Sequence, residues 1–395
     1  MLKVNNNLKQ AVILAGGEGS RLKKISADLP KPMTVLNNKP LLQHIIEQCV
    51  LYNIKDIKLL VSYKRDVIEN YFGDGSKYGA RIEYIVEDVP KGTAGALIDA
   101  LPKLDEIFLV LYGDTFFDID FFAFIKFHSH KNGDSSIFLH PNDHPYDSDL
   151  VEIDRNYKVQ KIHPYPHDNQ WRKNLVNAAV YIIKNEAIKN ITFDSKKPDI
   201  AKDLFPRMLN LKKRVYGYLS SEYIKDMGTP ERLLKVESDI QSGKVKALSN
   251  KISKAAIFLD RDGTINKQVG HLYDQNAFEL IKNSGKAISM INEAGILSIV
   301  ITNQPVIARG ELSEDGLAEI HNKMDTLLGR VGAYIDRLYY CPHHPDSGFV
   351  GEIKELKFDC NCRKPKIGLI DQAKNDLNID LNKSWLIGDS YRDIA

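Results

Sequence analysis

Cysteine and tryptophan are scarce here, with four and two copies in 395 residues. No apolar run approaches the ~18 residues a helix needs to cross a bilayer. The first shortage excludes a disulfide-stapled secreted scaffold, and the second absence excludes a helical membrane span. An excess of either charge is also missing: 54 Lys and Arg stand against 52 Asp and Glu, for a net charge of +2. The two signs are interspersed, so nothing marks a nucleic-acid groove or a membrane-surface patch. The polar start Met1 to Gln10 and the break at Gly16-Gly17 are unlike a signal peptide. Free thiols without an export signal give the cytoplasm as the expected compartment. There is neither an internal repeat nor a low-complexity tract. What is present is 43% hydrophobic content over a length that predicts two or three domains.

The first 240 or so residues alternate apolar strands with amphipathic stretches, the βαβ rhythm of a mostly parallel sheet. Strands are expected at Ala11–Leu14, Ile57–Ser62, Ile82–Val86 and Ile107–Tyr112. A helix from Pro40 places Leu41, Leu42, Ile45, Ile46, Cys49 and Val50 on one face, so Cys49 reads as core. From about Ser135 the rhythm changes to paired strands (Ser136–Leu139, Leu150–Asp154, Lys158–Ile162, Asn177–Ile183), predicting an antiparallel extension. A helix from Pro230 to Gln241 closes this part. The fold class is α/β: a Rossmann-like domain with a mixed sheet over 1–242, a polar, basic linker over 243–254, and a second α/β domain over 255–395 that reads as incomplete at its end.

In the second domain the apolar run Ala255–Leu259 delivers Asp260 and Asp262 to a strand end, just before Gly263, where open α/β sheets bind ligands. Asp260 can attack phosphorus while Asp262 handles the proton; a bare acidic turn is the alternative. Thr302, Asn303 and Gln304 follow the next apolar run and offer a hydroxyl and amide donors to phosphate. Arg363-Lys364 supplies cations, and Asp389 and Asp393 return carboxylates suited to magnesium. This order of motifs resembles the haloacid dehalogenase (HAD) phosphatases from Lys254 onward. The resemblance implies Asp260 as the phosphoaspartate-forming nucleophile and Asp262 as general acid and base. It also implies Thr302 and Lys364 on phosphate, Asp389 on magnesium and Asp393 in support, with Asp260 and Asp262 joining the magnesium set.

Cys341-Pro342-His343 and Cys360-Asn361-Cys362 provide three thiols and an imidazole, a plausible structural zinc set, with His344 as an alternative ligand and unligated thiols as the plain reading. With Cys-Pro-His-His and Cys-x-Cys-Arg-Lys-Pro, the segment resembles the zinc-containing branch that comprises heptose 1,7-bisphosphate 7-phosphatases and histidinol-phosphatases. The longer loop between the pairs leans to the former. Pro305-Val306 departs from that branch's Ser-Gly.

At the end of the first strand, Ala15-Gly16-Gly17-Glu18-Gly19-Ser20-Arg21 lets backbone N–H groups close on phosphates, with Arg21 as a cation. It lacks the glycine and lysine spacing of Rossmann and Walker loops. Lys31 sits between two prolines on a stiff backbone. Asp114 ends a strand and Asp226 precedes the closing helix, so the two can share one magnesium ion; each can also be a turn former or cap. Gly92-Thr93-Ala94-Gly95 lets a flat base approach. Together these resemble the sugar-1-phosphate nucleotidyltransferases from about Gln10 to Gln241. The resemblance implies in-line attack by a sugar 1-phosphate on a nucleoside triphosphate. Gly16, Gly17, Gly19 and Arg21 would hold the triphosphate, Gly92 and Thr93 the base, and Lys31 the reacting phosphates. Asp114 and Asp226 would hold the metal, and Asn177 a sugar hydroxyl. Lys161-Ile162-His163-Pro164-Tyr165 replaces the usual Glu-Lys-Pro.

A heptose 7-phosphatase makes the acceptor that such a transferase consumes. The expectation is therefore a bifunctional enzyme making GDP-heptose for surface polysaccharide from heptose 1,7-bisphosphate and GTP, with magnesium in both domains and zinc in the second. Nucleic-acid and membrane partners are not expected. The alternatives are a mannose 1-phosphate transferase joined to a histidinol-phosphatase-like domain, and a non-catalytic binding protein.

Overall fold

Ala11, Val12 and Ile13 are wholly buried in strand β1 (Gln10–Leu14). A strand apolar on both faces needs helices or loops over each, the setting of a parallel sheet. The structure, a computed structural model, describes residues 8–17, 29–168, 170–348 and 350–393. Two units emerge: Met1–Leu139, Val151–Pro164 and Asn177–Ser242 form the first, and His140–Leu150, Tyr165–Val176 and Gly243–Ala395 the second.

In the first unit β2 (Asp56–Val61), β3 (Arg81–Val86) and β4 (Ile107–Tyr112) join β1 in the order β3-β2-β1-β4, all parallel. β5 (Thr115–Asp118) follows β4, and β6 (Ser135–His140), β7 (Leu150–Ile153), β8 (Val159–His163) and β9 (Val176–Lys184) come next. β9 runs antiparallel to β4 and to β7. A further strand, β10 (Val215–Leu219), was not expected from the sequence and lies parallel to β6. The helical stretch from Ile200 to Asn210 precedes β10 and supplies the crossover that a parallel pair requires. β11 (Tyr223–Asp226) pairs antiparallel with β5, setting Asp226 opposite Thr115. Helix α1 (Leu41–Leu51) buries Leu41, Leu42, Ile45, Ile46 and Cys49; it begins one residue after Pro40. Burial pushes the Cys49 thiol up to about 12, which suits an inert core residue. Helix α2 (Gly92–Ala100) follows β3, and α3 (Pro230–Gln241) has Thr229 as its N-cap, accepting from the Arg232 N–H.

The second unit holds β12 (Ala256–Leu259), β13 (Leu297–Asn303), β14 (Arg337–Cys341) and β15 (Trp385–Ile387) in the parallel order β14-β13-β12-β15. Helix α4 (Glu314–Gly329) packs Ile320, Met324 and Leu328 into its core. The stretch Gly243–Lys254, expected as a linker, belongs to this unit; it holds a one-turn helix at Lys244–Ala247, and Leu248 and Lys254 are buried.

Asp336, just before β14, is buried and accepts from the Ser298 backbone N–H at 2.8 Å and the Ser298 hydroxyl at 3.2 Å. Burial raises its carboxyl to about 7, against the pull of those two bonds. Between about pH 4 and 7 the folded chain therefore keeps a proton that the unfolded chain has lost, so stability falls as pH rises through that window. The whole effect is at most about 4 kcal/mol. Both tryptophans, Trp171 and Trp385, lie in this unit, so their fluorescence follows its unfolding. We expect urea midpoints to drop from pH 5 to 8 in the wild type and to stay flatter in Asp336→Asn, which still accepts from Ser298.

Candidate active sites

Asp260 in the second unit follows the parallel strand β12, and in the first unit Gly16 and Gly17 follow β1 and Asp114 lies shortly after β4, the kind of strand end where open α/β sheets bind ligands. In the second unit Asp260 follows β12, its N–H bonded to the Ile387 carbonyl at 2.9 Å. Lys364 Nζ lies 2.9 Å from Asp260 Oδ2 and 2.6 Å from Asp393 Oδ1. Burial pushes the Asp260 carboxyl up while Lys364 opposes it. At Asp393 burial also pushes up, but Lys364 and Ser390 outweigh it and the carboxyl falls below its ordinary value. Carboxylate oxygens of Asp260, Asp389 and Asp393 all lie within 4.8 Å of one another. Three convergent oxygens fit a hard divalent cation.

Asp262 was expected in that set, and the structure turns it elsewhere. Arg261, wholly buried, donates to it from Nη2 at 2.8 and 2.9 Å and from Nε at 3.1 Å. Asn266 and Gln304 each add a bond of 2.9 Å. A buried guanidinium needs such a partner, so Asp393 takes the third corner of the acidic cluster. Thr302 is buried, and its hydroxyl accepts from Gln304 at 2.9 Å. Asn303 braces Lys364 through the backbone, donating to its carbonyl at 3.1 Å and accepting from its N–H at 3.0 Å. Thus Asn303 and Gln304, expected on phosphate, instead hold Lys364 and Asp262. Asn266 carried no sequence signal.

Gly263 has φ +79°, and a Cβ there would come within 1.9 Å of Asp389 Oδ2. Gly263→Ala should displace Asp389 and add about 1–2 kcal/mol of backbone strain. We expect phosphate release to fall on the order of 100-fold, with nucleotidyl transfer as the internal control.

The two Cys pairs come together. Cys341 Sγ lies 3.5 Å from Cys360 Sγ and 3.2 Å from Cys362 Sγ, the last two are 3.2 Å apart, and His343 Nδ1 is 3.2 Å from Cys362 Sγ. A tetrahedral ion with Zn–S bonds of about 2.3 Å needs S···S edges near 3.8 Å, so the set fits after slight expansion. Burial pushes the Cys341 thiol well up, and a bound cation is what would favour its thiolate. Of the two imidazoles, His343 is the one in the cluster; His344 Nδ1 accepts from the Asp346 N–H at 3.1 Å. Arg363 donates to the His343 carbonyl at 3.1 Å, tying the cation pair to the cysteine loop.

In the first unit Gly16 and Gly17 follow β1. A Cβ on Gly16 would lie 3.3 Å from Ser62 Cβ, whereas Gly17 faces open space. Gly19 and Arg21 lie outside the described residues. Lys31 forms an ion pair with Asp114, beside β4. The Met227 N–H donates to the Asp114 carbonyl at 2.8 Å, so Asp114, in the turn just before β5, lies next to Asp226 at the end of its partner strand β11. Arg232 Nη1 binds both oxygens of Asp226 at 2.6 and 2.7 Å, a partner legible only as a first-turn residue of α3. Burial raises the Asp226 carboxyl, but Arg232, Gly228 and Lys31 outweigh it and hold it low. Gly92, at φ +77°, sits so near Pro198 that a Cβ would be 2.5 Å from its carbonyl oxygen. Thr93 donates to Asp199 at 2.9 Å and accepts from the Ile200 N–H at 2.9 Å. Asn177 accepts from the Ala179 N–H at 3.1 Å. His163, in the departure from Glu-Lys-Pro, lies 3.2 Å from Glu152.

The sequence profile of the nucleotidyl transferase family matches residues 10–243. The chain belongs to the nucleotidyl transferase family. Among proteins similar to this nucleotidyl transferase, the mannose-1-phosphate guanylyltransferase of Mycobacterium tuberculosis is 30% identical over 239 residues, 59% of this chain and 65% of that protein. The solved structure of HddC from Yersinia pseudotuberculosis complexed with GMP-PN is 27% identical at a TM-score of 0.51, covering 59% of this chain and 100% of that one. The D-glycero-beta-D-manno-heptose-1,7-bisphosphate 7-phosphatase of Pasteurella multocida is 43% identical over 141 residues, 36% of this chain and 74% of that protein. The nucleotidyl transferase thus belongs to that phosphatase family as well. No helix among the described residues is long and apolar enough to cross a membrane.

Proposed function

We propose that the chain is a bifunctional cytoplasmic enzyme of activated-heptose synthesis for surface polysaccharide. It removes the 7-phosphate of D-glycero-D-manno-heptose 1,7-bisphosphate, then transfers GMP from GTP to the heptose 1-phosphate, releasing pyrophosphate. The observation that carries this reading is the union of the two families on one chain, because the product of the first reaction is the acceptor of the second.

Asp260 is the nucleophile, held 2.9 Å from Lys364, whose ammonium neutralises carboxylate and phosphoryl charge. Asp262 gives a proton to the leaving sugar oxygen and later takes one from water, and its donors Arg261, Asn266 and Gln304 keep the carboxyl aimed. Thr302 and Arg363 serve the phosphate side. Magnesium on Asp260, Asp389 and Asp393 would supply positive charge beside the phosphoryl oxygens. Zinc on Cys341, His343, Cys360 and Cys362 would fix the loop that carries Arg363 and Lys364. For transfer, Gly16, Gly17, Gly19 and Arg21 hold the triphosphate, and Gly92 and Thr93 face the base. Lys31 neutralises the reacting phosphates, Asn177 binds a sugar hydroxyl, and Asp114 and Asp226 would hold magnesium.

The 30% identity to a mannose-1-phosphate guanylyltransferase favours a second reading with mannose as the sugar. Pyrophosphate release measured with GTP and each purified sugar 1-phosphate separates them. Our reading expects heptose 1-phosphate to be preferred, and efficient turnover of mannose 1-phosphate alone would overturn it.

A further inference from the structure

Gln304 Oε1, which accepts from Nη2 at 3.0 Å, and a histidine join Asp262 around the Arg261 side chain. Its Nη1 lies 3.1 Å from Nε2 of His321, on α4. A guanidinium offers only donors, so this contact requires a bare Nε2 and hence a neutral imidazole with its proton on Nδ1. His321 is therefore an acceptor that anchors the far side of the same guanidinium whose near side holds the acid–base carboxylate. Burial, then Arg261, then Lys173 hold the imidazole well below its ordinary value. The Tyr340 ring packs on it from β14 with centroids 6.0 Å apart, and its hydroxyl bonds Glu314.

The helix that carries His321 is seated by a segment distant in sequence. Tyr165–Val176 belongs to the second unit, and its residues Trp171, Arg172 and Asn174 contact α4. Lys323 and Arg330 each lie over the Trp171 ring, 5.5 and 5.1 Å from its centroid. The Arg172 N–H donates to Thr326 Oγ1 at 2.9 Å, and the Thr326 hydroxyl donates back to the Arg172 carbonyl at 3.0 Å. The Asn174 N–H donates to Asp325, one turn beyond His321, at 3.2 Å. Asp325 also attracts the Lys173 ammonium.

We propose that His321 is a positioning residue for phosphate hydrolysis, fixing Arg261 and through it Asp262, and that the Tyr165–Val176 segment serves the same centre by seating α4. This rests on the phosphatase reading above. The test compares His321→Leu with His321→Gln in the full chain. Glutamine retains an oxygen that can accept from Arg261, whereas leucine does not. We expect kcat for phosphate release to fall at least about tenfold in His321→Leu with KM within about twofold, and to recover to within about threefold of wild type in His321→Gln. Thr326→Val, which removes both bonds to Arg172, should lower kcat in the same direction. Equal losses in the leucine and glutamine variants, or a change confined to KM, would overturn the proposal. Nitrogen-15 NMR of histidine-labelled chain gives a readout independent of turnover, with His321→Gln assigning the signal. His321 should remain neutral with Nδ1 protonated at pH values where an ordinary imidazole, with its midpoint near 6.5, is already mostly charged. A His321 signal that titrates normally, or carries its proton on Nε2, refutes the inference even if the wild type releases no phosphate; absent phosphate release alone refutes the phosphatase reading.

Discussion

Asp260→Asn will abolish phosphate release, lowering kcat by a factor on the order of 10³ or more, while pyrophosphate release from GTP and a sugar 1-phosphate stays within about twofold of wild type. The amide matches the carboxylate in shape but has no anionic oxygen to attack phosphorus. It also removes the charge that Lys364 compensates at 2.9 Å, while Lys364 keeps Asp393 at 2.6 Å. The fold should therefore survive and the chemistry should not. Separate assays of inorganic phosphate and pyrophosphate on one preparation check both halves at once. An active Asp260→Asn enzyme would mean that another group, or water directly, attacks phosphorus.

Removing the zinc proposed for the cysteine cluster should have the largest effect on stability. Three sulfurs and an imidazole nitrogen lie within 4.8 Å of one another, two at the end of β14 and its exit, two in the loop just before Arg363 and Lys364. Structural zinc contributes apparent binding energies of roughly 10–16 kcal/mol, and 1 kcal/mol shifts the melting of a domain this size by about 2–4 °C. Cys360→Ser, or a strong chelator, is expected to lower the tryptophan-monitored melting temperature by more than about 10 °C. Phosphate release should be lost in parallel, because Arg363 is tied to the His343 carbonyl at 3.1 Å. Zinc content measured by atomic emission should fall with the melting temperature. A variant that melts like the wild type would show that the thiols hold nothing of structural weight.

Strands β1 to β4, β12 and β13 were legible because an apolar run between turn residues is a local signal, and so was the placement of Asp260 directly after β12 and of Asp114 shortly after β4; β10, β14 and the loop position of Lys364 were not. Side-chain partnerships were not. Whether Asp262 faces the acidic cluster or Arg261 depends on a buried guanidinium whose other neighbours, Gln304 and His321, come from β13's exit and from α4. The capture of Asp226 by Arg232 depends on the entry of α3, and Asn303 reaches Lys364 only because the folded loop brings it there. The assignment of Tyr165–Val176 to the second unit has no pattern in sequence at all: Trp171, Arg172 and Asn174 look like an ordinary loop until α4 is present to receive them.

The most direct measurement supplies the purified chain with heptose 1,7-bisphosphate and GTP together and follows inorganic phosphate, pyrophosphate and GDP-heptose in one reaction. Two consecutive steps on one chain predict one phosphate and one pyrophosphate for each GDP-heptose formed, with no pyrophosphate from the bisphosphate in Asp260→Asn until heptose 1-phosphate is added. Phosphate release with no GDP-heptose, or nucleotidyl transfer that proceeds from the bisphosphate without loss of phosphate, would contradict the account.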